Sequence, residues 1–236
     1  MGYYNQQVYF NTVKSLGWAF FLCLDLFFLI LVIGIIWLSY IADLALTSKI
    51  FEFFETAEGE IIADACFILT TLFFIKKATG TNNTHELKKF LGIRAINLFT
   101  LLLIITIGYC FNHAEIWFAE VTNYADYFDL DFSKGIAVQL YPYSSVLWFI
   151  SLCIVAPIVE EVIFRGMLQQ RLMNSGLGVW SAIIITSIAF CLIHTHYGFG
   201  LLALMPLALL LGYVRHTTDN LFYCIALHAQ YNLFAY

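Results

Sequence analysis

Long apolar runs separated by short polar segments are the dominant pattern of this sequence. A helix that crosses a bilayer needs about 20 mostly apolar residues. Measured against that length, the runs predict about seven transmembrane helices, some of them short enough to require tilting or extension beyond the apolar run. The predicted helices are 17–41, 61–75, 90–111, 144–166, 179–193, 200–214 and 221–236. The predicted fold class is therefore all-α, a polytopic membrane helix bundle.

The same pattern divides the chain into three parts of one integral membrane domain. Residues 1–16 form a polar and aromatic interfacial segment, residues 17–143 hold the first helices and a long outer loop, and residues 144–236 form a helical core. The long connection within the second part is 112–143, which carries acids together with tryptophan and tyrosine. An amphipathic interfacial element is expected there, with a disordered loop as the alternative.

Composition supports a membrane protein. Hydrophobic residues make up 61% of the chain and charged residues 11%, whereas soluble domains average roughly 45–50% and about 25%. The expected partner is the lipid bilayer, and no nucleic acid is expected. Six cysteines each lie in an apolar run without a CxxC pair. They are interpreted as small buried hydrophobic residues rather than as disulfides or metal ligands.

The placement of lysine and arginine predicts the orientation, because loops rich in these residues stay on the cytoplasmic side. With the N-terminus inside, nine of the 11 basic residues fall on the inner side, and Lys49 and Lys134 fall outside. The predicted localisation is therefore integral membrane and multi-pass, with a cytoplasmic N-terminus. Asp64 would then lie near the outer end of its helix, where it is expected to be solvated.

Two adjacent carboxylates and an arginine stand out inside an otherwise apolar stretch. Residues 144–159 contain no charged side chain, and Glu160, Glu161 and Arg165 follow directly. A charge at the centre of a bilayer costs several kcal/mol on insertion scales, so such residues are candidates for a functional site. A salt bridge that serves only structure is the alternative interpretation.

Spacing predicts different roles for the two glutamates. Glu161 and Arg165 are four residues apart with the acid first, which is the favoured order for an ion pair on one helix face. Glu160 points about 100° away around the helix and is left for chemistry. A carboxylate removed from bulk water holds a proton more readily and becomes a better general base.

Two further pairs follow on later helices, each again one helical turn apart. Phe190 precedes His194, and His228 precedes Asn232. An imidazole near Glu160 can share a water molecule with it, and the pair His228 and Asn232 can offer two hydrogen-bond donors to an oxyanion.

The predicted topology brings these motifs to one depth. A polar turn at 174–178 joins two antiparallel helices, and Glu160 and His194 lie at similar distances from it along the chain. His228 lies near the inner end of the last predicted helix. The three motifs are therefore expected to meet in the inner half of the membrane.

The motifs EExxxR, FxxxH and HxxxN, in this order on successive late helices, resemble the CPBP family of intramembrane proteases. That family includes CAAX prenyl proteases and bacterial bacteriocin-processing and self-immunity proteins. The flanking sequence APIVEEVIFRGMLQ is also typical of it. The resemblance covers residues 144–236, which it identifies as the catalytic core, and the earlier helices match only in kind. The short chain is similar to bacterial members, which implies a bacterial plasma membrane.

The resemblance implies a role for each motif residue. Glu160 would activate the attacking water with help from His194, and His228 and Asn232 would stabilise the oxyanion. The supporting members would be Glu161, Arg165 and Phe190. The implied reaction is hydrolysis of a membrane-embedded, lipidated or leader-type peptide near the cytoplasmic interface.

Two questions stay open at this point. Glu160, His194 and His228 are also a known type of catalytic zinc ligand set, but the asparagine suits an oxyanion hole better and no HExxH is present, so no cofactor is expected and zinc is the alternative. The alternative function is a non-catalytic immunity or regulatory protein that binds a partner. The oligomeric state is not predicted.

Overall fold

The computed structural model describes residues 53, 56–79, 83–122, 144–194 and 201–235. Within these ranges every regular element is a helix, which confirms the all-α prediction there. The helices are α1 (Ala57–Thr79), α2 (Thr84–Leu91), α3 (Leu98–Thr122), α4 (144–174), α5 (Val179–Ile193), α6 (Leu201–Thr218) and α7 (Leu221–Ala235). The predicted interfacial segment 1–16 and the helix predicted at 17–41 lie outside the described residues.

Helix α4 contains two π-helical segments, one on either side of the two glutamates. It is α-helical at Ser144–Ile150, Ala156–Glu161 and Gln170–Asn174, and π-helical at Ser151–Val155 and Val162–Gln169. In the first π segment the Ala156 N–H donates to the Ser151 carbonyl, five residues earlier. Pro157 follows, without an N–H and with a ring that crowds the preceding turn of a normal helix. The wider winding therefore accommodates the proline.

The helix predicted at 90–111 is displaced in the structure. Gly92 has a φ of 71°, and this left-handed residue ends α2 with its N–H on the Lys88 and Lys89 carbonyls. A stretch without regular secondary structure follows, and α3 begins only at Leu98 and continues to Thr122. The first part of the predicted connection 112–143 is therefore helical, and its remainder lies outside the described residues.

A short amphipathic helix, α2, precedes most of the helix predicted at 90–111. Asn83 caps it, since its side-chain oxygen accepts the His85 N–H at 2.9 Å. One face carries exposed lysines, and the other buries Leu91 against the core that surrounds α4. The apolar runs do not predict this helix, because it spans only about two turns and its apolar face is correspondingly short.

Packing concentrates on the later helices. Helices α5 and α6 form the most extensive helix contact, and α3 packs along α7. The α3–α7 approach is close at Gly108, where an added Cβ would lie 2.0 Å from the Gln230 Oε1 atom. One apolar core joins α4, α5 and α6, and a second joins α3, α6 and α7.

Helix length gives fewer membrane spans than the apolar runs predict. Among the described helices, Leu98–Thr122 is the one long and apolar enough to cross a bilayer, and Ile61–Phe73 and Val179–Ile193 are shorter apolar stretches. Large apolar side chains nevertheless point outward on several helices. The most exposed include Leu69, Leu98, Phe99, Trp117, Val121 and Trp180.

Asp64 differs from its predicted solvated environment. It is partly buried, and the Ser151 hydroxyl donates to its Oδ1 atom at 2.9 Å. This contact joins α1 to the first π segment of α4, because the segment turns Ser151 toward α1. Asp64 therefore has a structural partner.

A polar cluster holds the turn between α6 and α7 against the stretch that precedes α3. Arg215 is buried, donates to Asp219 and Gln170 at 2.8 and 3.0 Å, and lies directly over Gly92. Arg94 also pairs with Asp219. The Leu221 N–H donates to the Gly92 carbonyl at 2.9 Å. Together these contacts fix the start of α7, the helix that carries His228.

We predict that Gly92→Ala lowers the free energy of unfolding by about 2 kcal/mol or more, since a non-glycine residue is strained at this φ. The added Cβ would also lie 2.2 Å from Arg215 Nη2. Thermal unfolding of the purified protein measures the effect. Gly178→Ala is the matched control, because φ is −57° there and the nearest atom to the new Cβ is 4.0 Å away. Equal melting temperatures for the two variants would contradict the prediction.

Candidate active site

Glu160 lies between two imidazoles contributed by two other helices. Its Oε2 atom is 3.8 Å from His194 Nε2 and 4.0 Å from His228 Nε2. The Glu160 side chain is 14% exposed and that of His194 16%, whereas that of His228 is 5% exposed. A water that makes two hydrogen bonds of about 2.8 Å at roughly a right angle joins atoms about 4 Å apart. The spacing therefore suits a water shared between the carboxylate and an imidazole.

The end of α5 fixes the orientation of His194. The backbone N–H of His194 bonds to the Cys191 carbonyl at 2.9 Å, which takes it away from the usual α-helical acceptor, the Phe190 carbonyl. The His194 ring fills that position, with Nδ1 2.8 Å from the same carbonyl. Because a carbonyl only accepts, Nδ1 carries the proton. In the neutral ring Nε2 is then a base, and it faces Glu160.

Glu161 is fully buried and holds two partners with one oxygen. Its Oε1 atom accepts from Arg165 Nη1 at 3.0 Å, which confirms the predicted ion pair. The same atom is 2.9 Å from His228 Nδ1. This second contact joins α4 to α7, and the sequence analysis missed it. No spacing along the chain signals it, because the two residues lie on different helices.

The contact with Glu161 determines what His228 can do. A carboxylate oxygen accepts, so Nδ1 of His228 carries a proton. The ring can donate through Nε2, on the side of Glu160, only when both nitrogens are protonated.

The Phe190 ring packs against one cationic and three aromatic side chains of the site. The Arg165 guanidinium carbon lies 4.6 Å from the centre of its ring, a cation–π distance. The His194 and His228 rings lie 4.6 and 5.7 Å away, centre to centre. Phe164 meets it edge-on at 5.3 Å. Phe190 thus contacts both histidines and the arginine, and its supporting role stays a prediction.

Asn232 has a contact that the sequence analysis did not predict. Its side-chain N–H donates to the Leu152 carbonyl at 2.9 Å. In the π segment this carbonyl would bond to the N–H five residues on, but that residue is Pro157. Asn232 therefore supplies the donor that the proline lacks. An amide nitrogen has two N–H groups, so a second one remains for a substrate oxygen.

The structure thus brings Glu160, His194 and His228 together, with Asn232 one turn along α7 from His228. The chemical roles of these residues stay predictions. For zinc, no group of three or more His, Cys, Asp or Glu side chains in the described part of the chain is arranged to hold a metal ion. We therefore derive no reaction step through a metal.

We predict that Glu161→Gln destabilises the protein by about 3–5 kcal/mol, because it leaves the buried Arg165 charge without a counter-charge. Adding Arg165→Met should recover part of this loss, since both charges are then gone. Unfolding of the two single variants and the double variant measures the coupling. Arg94→Met, which breaks an exposed ion pair, is the control and should cost little. Simple additivity of the two single effects would contradict the prediction.

Comparison with known proteins identifies the part of the chain that holds this site. Residues 142–234 match the family model described as type II CAAX prenyl endopeptidase Rce1-like. No curated protein matches the chain, and no solved structure does. The matched segment contains all three motifs and supports an intramembrane protease as the kind of protein. Residues 142–234 therefore form an Rce1-like type II CAAX prenyl endopeptidase domain, as the resemblance of the motifs predicted.

Proposed function

We propose that this protein is an intramembrane endopeptidase that hydrolyses a membrane-associated peptide with a water molecule activated by Glu160 and His194. The observation that carries the proposal is the position of the Glu160 Oε2 atom, 3.8 Å from His194 Nε2 and 4.0 Å from His228 Nε2. The Glu160 carboxylate and the two imidazole nitrogens are thus spaced to share one water molecule. The family match supports the same kind of reaction.

The proposed setting is a polytopic helix bundle within the bilayer. Apolar side chains on α1, α3 and α5 are exposed over much of their surface, including Leu72, Phe99, Leu102, Trp117 and Ile184. Soluble monomers rarely expose contiguous apolar patches larger than a few hundred Å². The most buried polar side chains lie inside the bundle around α4, as expected for a protein whose outer surface meets lipid.

In the proposed reaction, Glu160 takes a proton from the water while the water oxygen attacks the scissile carbonyl carbon. His194 Nε2 holds the water through its lone pair. The new C–O bond produces a tetrahedral intermediate, and the carbonyl oxygen becomes an oxyanion. Glu160 then gives the proton to the amide nitrogen as the C–N bond breaks, leaving a carboxylic acid and an amine. No covalent bond to the protein forms.

His228 and Asn232 are proposed to bind the oxyanion. His228 would donate through Nε2 in its doubly protonated form, while its Nδ1–H donates to the Glu161 carboxylate. Asn232 would donate its second side-chain N–H, because the first bonds to Leu152. Donors fixed before the reaction cost no reorganisation when the charge develops, which is the basis of oxyanion stabilisation.

The proposed substrate class is a membrane-embedded, lipidated or leader-type peptide. Two properties of the site support it. The surroundings of Glu160 are largely apolar, with Phe164 and Phe190 in the core beside it. The Glu160 side chain is 14% exposed, while its Oε2 atom between the two imidazoles is buried, which shields the proposed reacting oxygen from bulk solvent.

Glu160→Gln is expected to lower kcat by about 10²–10⁴-fold, because the amide cannot accept the proton of the attacking water. A membrane-reconstituted assay with a prenylated reporter peptide and a second, unprenylated leader peptide measures the change. Glu120→Gln removes an exposed acid near the end of α3 and should keep full activity. A Glu160→Gln protein that is folded and fully active in cells would instead support the non-catalytic alternative.

Exhaustive chelation is expected to leave kcat unchanged in the same assay, since the proposed steps need only side chains and water. Elemental analysis of the active protein should find no stoichiometric transition metal. Loss of activity on chelation, restored by zinc, would overturn the metal-free proposal and support Glu160, His194 and His228 as ligands.

A further inference from the structure

Four buried polar atoms on α4 and α5 have no hydrogen-bond partner among the described residues. They are Arg165 Nε, Gln169 Oε1, Thr186 Oγ1 and Ser187 Oγ. All four side chains are at most 1% exposed. A buried polar atom left without a partner costs about 1–3 kcal/mol, so four together demand an explanation.

Helix register places these atoms at one level of the bundle. Arg165 and Gln169, one turn apart on α4, donate to the Ala208 and Gly212 carbonyls, one turn apart on α6. Ile183 of α5 lies beside Gly212, since an added Cβ there would meet its Cγ2 atom at 2.9 Å.

Helix α5 runs antiparallel to α6, so one turn beyond Ile183 corresponds to the level of Ala208. Thr186 and Ser187 occupy that turn. The next turn of α5 brings Phe190, whose ring lies under the Arg165 guanidinium at 4.6 Å. The register therefore places the two hydroxyls at the level of the Arg165 side chain.

We infer that these four atoms form a hydration site, in which a buried water molecule completes the hydrogen bonds of Arg165. The Nε–H would donate to the water, and the water would donate to Gln169 Oε1 and to a hydroxyl of α5. Buried waters typically make about three hydrogen bonds to such otherwise unpaired groups. A single water with these three bonds and a fourth, accepted from the second α5 hydroxyl, therefore satisfies all four groups.

The bound water would make Thr186 and Ser187 positioning residues. Through the water they would fix the plane of the Arg165 guanidinium. Arg165 in turn fixes the Glu161 carboxylate, which holds His228.

The direct test is a structure of the protein in a lipidic mesophase, at a resolution that shows ordered water. Density within hydrogen-bonding distance of Arg165 Nε and Gln169 Oε1 is expected. A direct bond from Arg165 Nε to a protein atom, or a dry space, would overturn the inference. The readout does not need activity, so an inactive protein with the water in place would overturn only the protease proposal.

The double variant Thr186→Val/Ser187→Ala tests the role of the hydroxyls with little change in side-chain volume. It should lose the water density and lower kcat per folded molecule about tenfold at unchanged KM, the effect of about one lost hydrogen bond. Thr106→Val is the matched control, because that hydroxyl is exposed and bonds to its own helix at the Leu102 carbonyl. Retention of both the water and wild-type kcat would refute the positioning role.

Discussion

The buried carboxylate of Glu161 is the interaction on which the arrangement of the late helices depends. One of its oxygens accepts from Arg165 and from His228, and neither Glu161 nor Arg165 is exposed. A charge this deep is tolerated only when its partners are fixed. Arg165 extends the constraint, because it bonds to the α6 backbone at Ala208 and lies over Phe190 of α5. Four helices are thus held in register by one ion pair.

Proline supplies a second constraint at the other end of the site. Pro157 and the π winding before it leave the Leu152 carbonyl without a backbone donor, and Asn232 of α7 provides one. Helix α7 is therefore tied to α4 at two points, through His228 and through Asn232. Both ties use side chains that the proposed reaction also needs. Each of the two residues consequently uses one hydrogen-bonding group to hold the helices together, and its second group is the one that the proposed reaction uses.

The sequence predicts those features that depend on spacing within one helix. The Glu161–Arg165 pair follows from a separation of four residues, and the bounds of α5 match the prediction at 179–193. Features that depend on backbone geometry were missed. The left-handed Gly92 displaced the predicted helix at 90–111, since hydrophobicity alone does not register a stop signal inside an apolar run. The contact between Glu161 and His228 was missed for a different reason, because it joins residues whose proximity only the tertiary packing determines.

The adjacent glutamates differ because the helix turns them into different electrostatic environments. Glu161 is paired with Arg165, whereas Glu160 lies beside the Nε2 atoms of His194 and His228. In the proposed addition step Glu160 loses its charge as it takes the proton, and the substrate oxygen gains one. The net charge of the site is the same before and after this step. His228 Nε2 lies 4.0 Å from Glu160 Oε2, which belongs to the carboxylate that carries the charge before the step. A buried site gains from such a reaction, since moving a charge costs less than creating one where water cannot reorganise.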